Sequence, residues 1–417
     1  MEATAAMRQA AAPRLGAAVV PLLALALLIQ YVDRGNLATA APLIKSELRL
    51  SASQIGLLVS AFYWTYVPGQ PLAGWLAHRL NPYRTLALGL VVWSVATIAT
   101  GLVGGFAAFL ALRLLLGLGE SAFFPCSSRL LARHLPAGKL GAANGLVAIG
   151  LSLGPAVGTY GGGNLMNVAG WRTSFLIFGA ISLLWLGPWW LATRQLDRVE
   201  AAEPAEPGPT YLEVARRREA WGAALGHFSI VWAFYFVISW LPLYLVKQRG
   251  FSMTEMAALA GVIYAVQAGS NLTFGWLTDR WAARAADPAS VRKIVIVTSH
   301  IVVGLALICG ASGDVKLSIA GLLLAAVGFG ANTPMLYANG QTLAGPRAGG
   351  KWMGFQNGVG NIAGIVGPIA IGLIVDATHS FGDAFLVSGA IALAGALCWG
   401  VIIPRIAPLE WTRKVRR

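Results

Sequence analysis

Runs of about 20 apolar residues recur along this chain, and no other feature limits its fold so severely. A helix rising about 1.5 Å per residue needs about 20 residues to cross a hydrocarbon core ~30 Å thick. Twelve such runs can be marked, at 16–38, 54–77, 85–103, 106–128, 141–163, 173–193, 221–245, 256–277, 294–313, 317–344, 352–376 and 384–403. Inside a bilayer the backbone finds no water, so each run is expected to be a helix that satisfies its own N–H and C=O groups. Only 12% of the 417 residues are Asp, Glu, Lys or Arg, about half the share in a soluble domain. The chain therefore reads as an all-α polytopic membrane protein with twelve transmembrane helices. Its first run passes straight into Asp33 and Arg34 without a small-residue cleavage site, so it reads as a span and not as a removed leader. Cys126, Cys309 and Cys398 lack metal-ligand spacing and read as small packing residues.

A formal charge of +14 could suggest nucleic acid, so the position of the bases decides. With twelve spans both termini fall on one side, where 23 of the 31 Lys and Arg residues also fall, against six on the other. That bias marks the cytoplasmic face of a membrane protein. The excess charge is expected to set topology, with both termini cytoplasmic in an inner (plasma) membrane and no nucleic-acid partner.

The longest polar stretch, "TRQLDRVEAAEPAEPGPTYLEVARRREAW", separates two sets of six spans. It predicts an N-terminal bundle over 1–193, a cytoplasmic linker over 194–220 and a C-terminal bundle over 221–417. The halves echo each other: "GWLAHR" at 74–79 and "GWLTDR" at 275–280, "LGPAVG" at 153–158 and "VGPIAIG" at 366–372, "FLIFGAI" at 175–181 and "FLVSGAI" at 385–391. Three matches in one order, at offsets of 201, 213 and 210 residues, point to a duplicated six-helix unit, a known transporter plan with the substrate site between the halves.

These segments resemble the major facilitator superfamily. "GWLAHRLNPYR" and "GWLTDRWAAR" are similar to its loop motif after the second span of each half, with His78 where an acid is usual and Asp279 keeping it. "RLLLGLGES" and "GLVAIGLSLGPAVGTYGG" resemble its fourth- and fifth-span motifs, whose small residues let helix backbones approach. Pro155 and Pro368 are expected to kink their helices. "YVDRGNLATAAP", "LLVSAFYWTYVPGQPLAGWL", "RLLLGLGESAFFP", "WLPLYLVKQRGFS" and "QNGVGNIAGIVGPIAIG" further resemble the anion:cation symporter branch, which includes bacterial galactonate and hexuronate transporters and sialin-like carriers.

Away from their ends, the spans contain only four charged residues: Asp33, Arg34, Arg113 and Glu120. Charges at that depth are costly and mark function or mutual pairing. Arg113 and Glu120, seven apart, share a helix face, whereas adjacent Asp33 and Arg34 diverge by about 100°. Arg34 offers a forked cation suited to a carboxylate, while Asp33 and Glu120 can take up protons. The resemblance implies the same division: Arg34 for substrate, Asp33 and Glu120 for coupling protons, Arg113 tuning Glu120. Around them Tyr31, Trp64, Tyr66, Tyr337, Asn339, Asn357 and Asn361 are the expected substrate contacts, and Asn332 and Gln356 are weaker candidates. Packing is the alternative for each aromatic. The resemblance to sugar-acid carriers implies a Gln near Leu151, and Leu there leaves room for a less hydroxylated or partly apolar acid, such as an aromatic acid or a small monocarboxylate.

The implied function is proton-coupled symport of a small organic anion by alternating access. The carrier is expected to act as a monomer in the lipid bilayer, without cofactor or metal. A drug or metabolite exporter of the same superfamily, or a uniporter of an organic acid, stays open. An enzyme is not expected: there is no HExxH, no paired-Asp motif, no Ser/His arrangement and no GxxxxGK[ST] loop. His227 and His300 read as satisfied polar residues, with a pore-facing position as the alternative.

Overall fold

The computed structural model describes residues 18–50, 52–202, 208–312, 314–378 and 380–411, and among them it contains helices and no strand. Helices α1 (Val20–Glu47), α2 (Ala52–Arg79) and α3 (Pro82–Thr100) are followed by α4 (Phe106–Glu120) and α5 (Phe123–His134). The last two form one rod interrupted at Ser121 and Ala122. Helix α6 (Leu140–Leu184) is two rods broken at Gly170, φ +79°, and its second rod runs on as α7 (Leu186–Ala202). A short α8 (Tyr211–Ala215) precedes α9 (Arg218–Leu243), α10 (Met253–Ala282) and α11 (Pro288–Gly310). Helix α12 (Val315–Thr378) is again two rods, broken at Gly345 with φ +64°, and α13 (Phe381–Leu397) closes the series. At both breaks only glycine adopts the backbone without strain.

Counted as rods, the described helices make twelve crossings, and they carry the expected spans. Seven of the described helical segments are long and apolar enough to cross a membrane, and two of these, Ala137–Asp197 and Val315–Thr378, each hold two rods. The rods outrun the apolar runs. Helix α1 continues to Glu47, and α7 continues to Ala202, into the stretch expected to be linker. Of that stretch, 203–207 lie outside the described residues, as do the terminal bases Arg8, Arg14, Arg413, Lys414, Arg416 and Arg417.

The echo between halves is also an echo in packing. A Cβ on Gly179 would meet Ser94 and Ile98 of α3, and one on Gly389 would meet Gly304 and Ile308 of α11. All three pairs are 210 residues apart, so the sixth rod packs on the third as the twelfth packs on the ninth.

The halves meet most closely at the end that carries most of the bases. There Gly275 of α10 lies against Gly141 of α6, and Gly74 of α2 against Gly350 of α12, each too close for a side chain. Asn144 Nδ2 donates to Gln341 Oε1 at 2.7 Å, Gln341 Nε2 returns a bond to Asn144 Oδ1 at 3.2 Å, and Ser128 Oγ accepts from Gln341 at 3.2 Å. Asp279 accepts the Ala142 N–H at 2.8 Å and an Arg292 N–H at 3.1 Å. Burial lifts Asp279 to about 6 despite these donors.

His78 occupies the matching place in the first half, beyond the membrane-crossing part of α2. Arg129 Nη1 lies 2.5 Å from its Nδ1 and the Gly208 N–H 3.3 Å from its Nε2. Burial, then Arg129, Lys351 and Arg133, push His78 down from 6.5 to about 4. Its charged form is therefore disfavoured in this closed arrangement relative to a solvated one, and the closure loses stability as pH falls from 6.5 toward 4. With spin labels at exposed Lys139 and Arg284, wild type should open at this end more than His78→Gln does, by roughly tenfold in population at pH 5. The two should coincide above pH 7. A difference that does not change with pH would refute this role.

Candidate functional site

Glycines of the fourth rod set the depth of its acid. Gly117 lies on the α2 backbone at Phe62, and Gly119 on α3 at Gly89 and Trp93. This seats Glu120, the last residue of α4, in the middle of the N-terminal half, with 0% exposure. From α1, Arg34 Nε donates to Glu120 Oε2 at 2.8 Å, and Gln30 Nε2, one turn earlier, donates to the same oxygen at 3.0 Å. The Arg34 guanidinium carbon is 4.6 Å from the ring centres of Tyr31 and Phe62 and 4.7 Å from that of Tyr66. Aromatic faces attract a cation and exclude water from it. Arg34 Nη2 is buried without a hydrogen-bond partner, as is Glu120 Oε1.

The other two charges stand apart from this pair. Asp33 turns toward α3, where Thr97 Oγ1 donates to it at 3.5 Å, and its Oδ1 is buried without a partner. Arg113 Nε donates to the Leu58 carbonyl at 3.1 Å, and its guanidinium lies 5.3 Å from the Phe62 ring. Among the described residues Arg113 forms no ion pair with Glu120, whose cation is Arg34. Arg113 and Glu120 share a helix face as expected, but the direct partner of the acid is Arg34, brought to it from α1.

Between the halves lies a cavity of about 50 Å³, walled by Tyr31, Tyr66, Phe124 and Leu151 on one side and by residues of α9, α10 and α12 on the other. Ligand clefts are typically ~300–1,000 Å³, so this cavity must widen before it can hold a small-molecule ligand. Asn357, Asn361 and Tyr337 line it. Tyr235 donates to Asn361 Oδ1 at 3.3 Å, Asn361 Nδ2 donates to its own helix at the Asn357 carbonyl, and the Asn357 amide lies beside the Tyr66 hydroxyl without a well-formed bond.

Two expected contacts are overturned. Trp64 is 45% exposed on the outer face of α2, because two residues along a helix turn it about 200° from Tyr66. Asn339, two residues beyond Tyr337, is turned away likewise and lies 3.5 Å from the Arg292 carbonyl on α11. Gln356 and Asn332 are held elsewhere, by Trp352 and by Ser299 and His300. His300 is bonded as expected of a packed residue, its Nε2 3.1 Å from the Gly226 carbonyl. His227 is not: it lines the cavity with Nδ1 buried and unpartnered. Gln30, Phe124 and Gln267 were not foreseen. Of these, Gln30 is four residues before Arg34, and helical spacing alone could have found it.

The sequence profile of the Major Facilitator Superfamily matches residues 23–286 and 281–417. The chain belongs to the major facilitator superfamily. Among superfamily relatives, it is 28% identical to a protein named as a probable sulfoacetate transporter of Cupriavidus necator, over 95% of this chain and 97% of the relative. It is also 28% identical to the hexuronate transporter of Bacillus subtilis, over 91% and 92% respectively. Among solved structures, the superfamily fold is shared with the human organic anion transporter MFSD10, at TM-score 0.71 and 18% identity over 93% of this chain and 99% of that one. A proton:xylose symporter superposes at TM-score 0.72 and 15% identity, over 94% and 96%. The chain is thus a multi-pass membrane transporter and not an enzyme.

Proposed function

We propose that this transporter carries a small organic anion, a carboxylate first of all, together with protons, by alternating exposure of the site between its halves. One observation carries the reading: a guanidinium caged by three aromatic rings, held at Nε by a buried acid, with a second N–H group free. A buried forked cation that keeps a donor in reserve is suited to a carboxylate. The acid that holds it supplies the proton site, since a proton on Glu120 and an anion on Arg34 each remove the other's competitor. The basic end is cytoplasmic on this reading, and the close contacts between the halves lie at that end. Related carriers named for hexuronate and L-galactonate support an anionic cargo.

The deciding experiment is uptake of labelled organic acids by purified protein in liposomes, with and without an imposed pH gradient. Accumulation of at least one acid only when the gradient points inward is the expected result. Uptake that never exceeds equilibrium would leave a uniporter and overturn the coupling.

A further inference from the structure

We infer that the cargo is a carboxylate with a planar, apolar body and few hydroxyls, an aryl carboxylate in contrast to a sugar acid. This rests on the organic-anion reading above and narrows it. Tyr31 and Tyr66, two of the rings that cage Arg34, form one part of the cavity wall, and much of the rest is aliphatic or aromatic. Leu151, Ile230, Val231 and Leu336 are aliphatic, and Phe234 meets Phe329 edge-on at 5.9 Å. Across the gap between the halves, Phe124 of α5 stacks on Tyr337 of α12, with ring centres 4.8 Å apart and planes 7° from parallel. When the halves part, those two faces lose each other, and a flat ring can take the place of the lost partner on either face. Offset stacking is the arrangement aromatic pairs prefer.

The polar groups of the cavity point the same way. Thr333 Oγ1 is bonded to its own helix at the Phe329 carbonyl, 2.9 Å away, and Asn361 is occupied at both ends of its amide. Buried polar atoms without a partner remain on Asn357, on His227 at Nδ1 and on Gln267 at Nε2. With the tyrosine hydroxyls these can serve the carboxylate and one or two further polar groups. A sugar acid brings a hydroxyl on nearly every carbon, and each hydroxyl enclosed against the aliphatic wall without a partner lowers affinity by about tenfold or more. Leu151, on the fifth rod, presents a hydrocarbon to the cavity, where an amide would offer such a hydroxyl a partner. It is a specificity determinant on this account.

The test uses the full chain in detergent and then in liposomes, with benzoate, phenylacetate, D-galactonate and D-glucuronate as probes. Binding is read by calorimetry and transport by counterflow of the labelled acid. The aryl acids should bind at least about tenfold more tightly than the sugar acids. Leu151→Gln should shrink that ratio by about tenfold, while Leu151→Met, which keeps the wall apolar, should leave it. Sugar acids binding as tightly as the aryl acids or more so would overturn the inference and leave the organic-anion reading intact. So would a ratio that Leu151→Gln does not move. Binding of neither class would overturn this inference, and the organic-anion reading falls with it only if the panel of labelled acids used for the proposed function is not bound either.

Discussion

Arg34→Ala should lower substrate affinity by at least about 100-fold and abolish transport. Truncating one member of a buried charge pair typically costs ~2–5 kcal/mol, and Arg34 is half of two such pairs, one with Glu120 in the protein and one with the arriving anion. The first creates an ambiguity, because Arg34→Ala strands Glu120 at 0% exposure without its cation. The double variant Arg34→Ala with Glu120→Gln removes the stranded charge, should recover thermal stability, and should still fail to bind. Arg34→Lys restores a charge but not the fork, so Nε and Nη can no longer serve the acid and the substrate at once. It should recover under about a tenth of the affinity. Calorimetric binding by purified protein measures all three. Wild-type affinity in the double variant would remove Arg34 from the site.

Glu120→Gln should separate transport from its driving force. Glu120 accepts from Arg34 Nε and Gln30 Nε2 on one oxygen, and on the proposed coupling its ionised form competes with the substrate for the guanidinium. A proton on Glu120 removes that competition, so proton and anion load together. Coupling between linked sites is typically ~1–3 kcal/mol, or about 5- to 150-fold in affinity. Gln mimics the protonated acid. The variant should keep counterflow within about threefold of wild type, lose its pH dependence and fail to accumulate substrate under an inward proton gradient. Asp33→Asn should act differently, because Asp33 faces Thr97 and does not touch Arg34. It should leave anion affinity nearly unchanged while impairing accumulation. If both neutral variants still concentrate substrate with wild-type pH dependence, neither acid couples protons to transport and the cluster is structural.

These two predictions draw on different sources. That Arg34 and Glu120 are candidates follows from the sequence, because a charge in a lipid-spanning run has so few tolerable explanations. That they hold each other, with Arg113 on a backbone carbonyl instead, does not. Residues 34 and 120 meet because α1 packs on α6 and α4 packs on α2 and α3, and spacing along one helix carries no information about the rotation of another. The same gap explains Trp64 and Asn339. Each sits two residues from a cavity-lining tyrosine, so membership of the right segment put them on the wrong face. His227 could be read either way for a related reason: a lone imidazole in an apolar run has the same local signature whether it is satisfied or left open to a cavity.

What the sequence determined alone was the class, the number of crossings and the duplication. Hydropathy must match the bilayer residue by residue, and a repeated unit leaves its glycines at matching places. The tertiary structure alone decided which polar atoms are already spent and which face the space between the halves. Partnership in a helical membrane protein is set by the rotation and depth of rods, and small residues such as Gly117, Gly119, Gly141 and Gly275 set that rotation and depth by letting one backbone rest on another.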